Sequence, residues 1–327
     1  MGNLIARIAP NSDLSVDLWP PPPDFDVETD MPDLTGKVAI VTGSNSGIGY
    51  HVALRLLRKK ARVYVAVRDS EKTRRALTRL EDATFGDIRF LELDLNDLGS
   101  VKRAAERFLS KEQRLDILVN NGGIMHPPAK QLTAQSLDAS FGTNVASHYL
   151  FTKLLLPALS ASHAATNTPS RVIFCASSTH TRAPGVQFDS LEGGPKRDAW
   201  VAAQWSFFVG WILYAQSKLI GIILTNHLAK THSDVLVATS VHPGSINSEL
   251  KRNFSFAFQL LWHLALYGPA RGALPLLWAA TIAKPSEITG QYIVSPSRHG
   301  VPSPLTQDEK LEVQVVQFMD GIVKDYL

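Results

Sequence analysis

Seven short runs rich in β-branched and aliphatic residues recur along the 327-residue chain, at 38–42, 62–67, 88–93, 115–119, 171–176, 235–241 and 291–294. Helical periodicity fills the intervals, at about 48–59, 71–81, 98–112, 136–160, 212–230 and 270–283, and again at 309–325. Strands alternating with helices at this spacing point to parallel βαβ units, because parallel neighbours need a crossover and a helix supplies it. The pattern predicts an α/β fold: a single doubly wound parallel sheet (Rossmann-type) of about seven strands with helices on both faces, built as one domain from 34 to 327. Residues 1–33 carry Pro20 to Pro23 and alternating acids, which resist helix and sheet, so they read as an extended lead-in on the surface.

Composition removes several alternatives. A hydrophobic content of 45% supplies a sizeable core, and 33 basic against 30 acidic residues leave a net charge of only +3 without any block of like charge, so nucleic acid is not an expected partner. Cys175 is the single cysteine and cannot form an internal disulfide, the N-terminus lacks the apolar core of a secretory signal, and no apolar run reaches the roughly 18 to 20 residues of a membrane span. The expected location is intracellular, cytoplasmic or peripheral to an internal membrane, and not secreted.

The first run leads into Thr42, Gly43, Ser44, Asn45, Ser46, Gly47, Ile48 and Gly49, and a helix follows. Glycines where a strand turns into a helix let exposed N–H groups approach a pyrophosphate, in contrast to an ordinary tight turn. The second run ends in Val67 and Arg68, where a carboxylate would bind a ribose 2′-hydroxyl; a guanidinium instead suits a 2′-phosphate and favours NADP(H), although Asp69 is adjacent. Tyr214 and Lys218 stand four apart in Tyr-Ala-Gln-Ser-Lys and share a helix face. A nearby cation favours a phenolate and would lower a tyrosine pKa from its usual value of about 10, making it an acid or base. Strand 171–176 ends in Ser177 and Ser178, placing a hydroxyl beside the crevice.

The longer Thr-Gly-x-x-x-Gly-x-Gly loop together with Tyr-x-x-x-Lys resembles the short-chain dehydrogenase/reductase family over about 36–295. Its texture is that of the retinol-dehydrogenase-like branch, shared by many fungal pathway reductases of secondary metabolism, with Arg-Asp after the second strand and His-Pro-Gly before Ser-Glu-Leu. The resemblance implies that Asp94 and Leu95 contact the adenine edge and that Asn120 to Gly123, including Asn121 and Gly122, form the cofactor wall, with Gly122 replacing the usual alanine. It implies the second serine, Ser178, as catalytic with Ser177 in reserve, Asn144 as the fourth active-site residue, and a His242-to-Ser248 loop that receives the nicotinamide carboxamide, in which Ile246 offers backbone groups to the carboxamide and Ser248 a hydroxyl to the cofactor. Lys218 would also hold the nicotinamide ribose. Lys153 is a further candidate for cofactor contact, weighed against a solvated helix face, while His242 and Cys175 read as buried structural residues. The expected activity is carbonyl–alcohol interconversion with NADP(H), the alternative being a non-catalytic NADP(H)-binding sensor on the same fold.

Departures from the family pattern cluster between Ser178 and Tyr214. Two aromatic segments, Trp200 to Leu213 (with Trp205, Phe207, Phe208 and Trp211) and Phe254 to Tyr267 (with Phe256, Phe258, Leu261 and Trp262), read either as core or as lid insertions near 180–213 and 250–270 over an apolar pocket. The lid reading implies a lipophilic small-molecule substrate such as a terpenoid, steroid, retinoid or polyketide, and peripheral membrane contact; a homo-oligomer is left open.

Overall fold

A computed structural model describes residues 20–247 and 266–327. Among them one sheet has the order β3-β2-β1-β4-β5-β6-β7-β8, with β1 Val38–Thr42, β2 Arg62–Val67, β3 Ile88–Glu92, β4 Ile117–Asn120, β5 Ser170–Cys175, β6 Leu236–His242, β7 Tyr292–Val294 and β8 Arg298–His299. Strands β1 to β7 pair in parallel and β8 turns back antiparallel on β7. The two-residue β8 is too short to leave a periodic signal, and the sequence expectation omits it. The flanking helices are α1 Gly47–Arg58, α2 Glu71–Thr84, α3 Leu98–Leu109, α4 Ser147–Thr166, α5 Pro195–Ala202, α6 Ser206–Thr231, α7 Pro269–Leu277 and α8 Glu309–Val323.

All five residues of β1 are buried, as befits a strand covered on both faces. Val38 and Ile40 join one core with α3, α4, α6 and α8, whereas Ala39 and Val41 join a second with α1, α2 and α7. Side-chain caps place two helix starts: Ser70 accepts from Thr73 N–H and Asp97 from Gly99 and Ser100 N–H, contacts that typically contribute about 1 kcal/mol each. The chain runs outward from β1 through β2 to β3 and resumes on the other side at β4, so the order reverses between β1 and β4. Ligands bind such sheets outside the strand ends at that reversal.

Three expectations need correction. The described part of the lead-in is anchored: Val27 and Met31 are buried in the second core, and Lys59 Nζ donates to the Glu28 carbonyl at 2.7 Å. The helix expected over 136–160 begins at Ala139 and passes through a π-helical turn, Gly142–Ala146, before continuing as α4. The stretch Phe208–Thr231 is long and apolar enough to cross a bilayer by length and composition, contrary to the expectation, but it is mostly buried in the fold. A core helix covered on several sides is apolar all round for that reason.

Candidate active site

The carboxyl ends of β1 and β4 meet at close range. Gly43 has φ +66°, and a Cβ there would stand 2.7 Å from the Gly122 Cα; a Cβ on Gly49 would stand 2.5 Å from Asn121 Nδ2. Only glycine permits this approach. The Asn121 side chain is fixed by donating to the Thr42 carbonyl at 2.9 Å. Ser46 caps α1 in an extended conformation without a side-chain cap bond, leaving the first N–H groups of the helix for an anion. Asn45 Nδ2 donates to Thr73 Oγ1 at 3.0 Å and Lys72 Nζ to Ser46 Oγ at 2.9 Å, so the start of α2 is tied to the glycine loop. Arg68 is exposed and has no ion pair among the described residues, while Asp69 is engaged by Arg74 at 2.8 Å. The cradle of glycines, helix N–H groups and two cations fits a dinucleotide carrying phosphates. Sequence reasoning missed Lys72, whose signal is its place in the first turn of α2, four residues beyond Arg68.

The remaining wall residues differ in how firmly the fold holds them. The Asp94 carboxylate accepts from Asn96 N–H at 2.9 Å and shapes its own turn. The Leu95 carbonyl accepts from Ser147 Oγ, and the Leu95 Cδ1 would lie 2.5 Å from a Cβ on Gly122, so the usual alanine there would force Leu95 to shift. Ile246 packs with Ile48 over Gly272, which brings the loop after β6 beside α1. Lys153 does not face the cleft: its Nζ pairs with Asp320 of α8 at 2.7 Å and lies over the Tyr149 ring, so its place as a cofactor contact is corrected to a helix–helix tie. Ser248 and the segment carrying Phe254, Phe256, Phe258, Leu261 and Trp262 lie outside the described residues.

Tyr214 and Lys218 are both 5% exposed on one face of α6. Lys218 Nζ lies 5.8 Å from the centre of the Tyr214 ring and donates to the Cys175 carbonyl at 2.6 Å. A Cβ on Gly221 would strike the Phe174 ring at 2.1 Å, so α6 lies flush on β5 and carries Lys218 to the strand end. The phenol pKa is pushed up rather than lowered: burial acts most, with a smaller contribution from Cys175, while the nearby Ser177 hydroxyl opposes the shift. Burial pushes the Lys218 ammonium down, favouring its neutral form.

The serine brought to the phenol is Ser177, not Ser178. Ser178 begins a 3₁₀ turn, where its carbonyl accepts from Thr181 Oγ1 at 2.9 Å. Ser177 is held from behind by His180, which is fully buried: Ser303 N–H donates to His180 Nε2 at 3.0 Å, leaving Nδ1 to donate to the Ser177 carbonyl at 2.7 Å. Asn144, in the π-helical turn, is fully buried; its Oδ1 accepts from Ile124 N–H at 2.8 Å, and its Nδ2 donates to the Ile124 carbonyl at 3.0 Å and to Ser217 Oγ at 3.2 Å. Ser217 in turn donates to the Tyr214 carbonyl at 2.7 Å, joining Asn144 to α6.

Known proteins resemble this chain in sequence and fold. Residues 37–188 match the family model described as short chain dehydrogenase. A short-chain dehydrogenase/reductase of Armillaria gallica is 37% identical over 310 residues, covering 94% of this chain and 97% of its own length. Retinol dehydrogenase 12 of Mus musculus is 34% identical over 277 residues, covering 83% of this chain and 81% of that one. Among solved structures, the Pseudomonas aeruginosa RhlG/NADP active-site complex superimposes with a TM-score of 0.61 at 27% identity, covering 80% of this chain and 96% of that one. The chain therefore belongs to the short-chain dehydrogenase/reductase family, in its retinol-dehydrogenase-like branch, and is an oxidoreductase acting on CH–OH and carbonyl groups.

Proposed function

We propose that this protein is an NADP(H)-dependent oxidoreductase interconverting a carbonyl and an alcohol on a lipophilic small molecule, with Tyr214 as the proton-exchanging residue. The observation that carries the reading is the buried Tyr214, which feels the Ser177 hydroxyl and shares a helix face with Lys218, whose ammonium donates to the Cys175 carbonyl at the end of β5. When bound, the cofactor supplies or accepts the hydride. Tyr214 exchanges the proton of the substrate oxygen, Ser177 orients that oxygen, Lys218 holds a ribose hydroxyl, and Asn144 fixes the start of α4 against α6. Burial pushes the phenol pKa up, favouring its protonated form.

Exposed Arg68 and the tie between Lys72 and Ser46 favour NADP over NAD, as two cations beside the glycine loop suit a 2′-phosphate. The lipophilic substrate is supported by Trp205 and Phe208, which lead into Tyr214 and remain 78% and 51% exposed, so they are not core. Tyr214→Phe tests the whole reading: the variant should bind NADPH as the native chain does and lose turnover by ~10² to 10⁴, the usual contribution of a proton-exchanging group. Activity within a few-fold of native would remove Tyr214 from the reaction.

A further inference from the structure

His148 lies one turn beyond Asn144, 3% exposed, and nothing in the chemistry above uses it. Its Nε2 is 2.9 Å from Thr42 Oγ1 and its Nδ1 is 3.0 Å from the Asn144 carbonyl. The Thr42 hydroxyl accepts from Asn121 N–H at 2.9 Å and Gly122 N–H at 2.8 Å, which occupies both of its lone pairs. Its single proton has two acceptors in range, the Val119 carbonyl at 3.4 Å and His148 Nε2 at 2.9 Å, and the shorter contact is to the imidazole. Nε2 must then be bare, and Nδ1 must carry the ring proton that it donates to the Asn144 carbonyl. The opposite tautomer would aim an N–H at a filled oxygen and a lone pair at a carbonyl. One chain of hydrogen bonds thus runs from the cofactor-wall turn through Thr42 and His148 to the backbone of Asn144. The Asn144 side chain grips the same wall at Ile124, where a Cβ on Gly123 would stand 2.9 Å from Asn144 Oδ1.

We propose that His148 is a positioning residue, locked as the Nδ1–H tautomer, that couples the cofactor-binding wall at Thr42, Asn121 and Gly122 to the placement of Asn144. The inference rests on the reductase reading above. Burial supports it by pushing the imidazole down to about 4, so the ring stays neutral at physiological pH. Through this coupling, loss of the imidazole bridge should weaken cofactor binding and slow the proton-transfer step together, rather than lower stability alone.

The test is a double-mutant cycle between Thr42→Val and His148→Phe, reading NADPH affinity by direct titration and the single-turnover rate at saturating cofactor. Each single variant should lose on the order of tenfold in rate, since small misplacements near a reacting centre act at that scale or above. The double variant should be no worse than the poorer single, because both substitutions break one chain. His148→Gln, which restores a donor and an acceptor, should recover most of the loss. Additive losses in the cycle would overturn the proposal. Nitrogen-15 NMR of the native protein adds a reading that no misfolded variant can confound: a His148 signal from the Nε2–H tautomer would also overturn it. A native chain that binds no NADP(H) would instead defeat the reductase reading, and the tautomer would still be measurable.

Discussion

The β1–β4 end of the sheet and the insertion expected near 180–213 are built differently. At the β1–β4 end, glycines bring backbones together, and the Thr42 hydroxyl and Asn121 side chain are tied to neighbouring strand ends. The insertion begins with short 3₁₀ turns at Ser178–Arg182 and Phe188–Ser190, and ends on exposed Trp205 and Phe208. Its middle is fastened where Arg197 of α5 pairs with Asp138 at 2.8 Å, both nearly inaccessible. A buried pair of this kind fixes placement more surely than it adds stability. On the proposed function, the contrast suits a cofactor held by rigid fit and a substrate side where apolar contact tolerates variation.

The sharpest way to break that contrast is at Ser177, where the two regions meet. Ser177→Ala should cost roughly 10² in kcat with cofactor affinity retained, whereas Ser178→Ala should stay within about threefold, because a lost donor to a developing oxyanion is felt only by the group in contact. Steady-state kinetics of the two variants decide it. A larger loss in Ser178→Ala would return the role to the second serine and make the strand-end geometry misleading.

The fold is largely legible in the sequence because β1, β2, β4, β5 and β6 are buried aliphatic runs and the intervening helices are amphipathic or wholly apolar, so both periods stand out. The order of the cofactor motifs is legible for the same reason: Gly43, Asn121 and Tyr214 follow recognisable elements. Ser177 escapes a reading that matches the serine pair by similarity, because which of the two approaches Tyr214 depends on how α6 lies against the end of β5. Lys153 is misplaced by sequence because one helix face looks like another until α8, with Asp320, packs on it. His148 and His180 give no local signal, since their partners, Thr42 and Ser303, are 106 and 123 residues away.

On the cofactor side, the next effect is one of selectivity. Arg68→Asp should shift the ratio of kcat/KM for NADPH over NADH toward NADH by roughly 10- to 100-fold, as a carboxylate repels a 2′-phosphate and can accept from a ribose hydroxyl. Because Lys72 would persist beside Ser46, the shift should be incomplete, and Arg68→Asp combined with Lys72→Ala should extend it. A native preference for NADH would end the NADP assignment.

The smallest expected effect belongs to the insertion. Trp205 and Phe208 pack on each other with ring centres 6.5 Å apart while exposing most or half of their surface, so removing either uncovers little buried area. Trp205→Ala and Phe208→Ala should therefore change stability by no more than about 0.5 kcal/mol, the usual scale for surface substitutions. If the pair lines the approach to Tyr214, each variant should lower kcat/KM several-fold for bulky apolar carbonyls, by the roughly 1 kcal/mol of a partly exposed apolar contact, and leave small polar carbonyls unchanged. Trp211, next in line and in edge contact with His126, sits closer to the fold and should show the larger loss of the three. Equal losses for both substrate classes would place these side chains in packing rather than recognition. The insertion would then be held as tightly by its own contacts as the β1–β4 end is, and the distinction between a rigid cofactor side and an adaptable substrate side would fail.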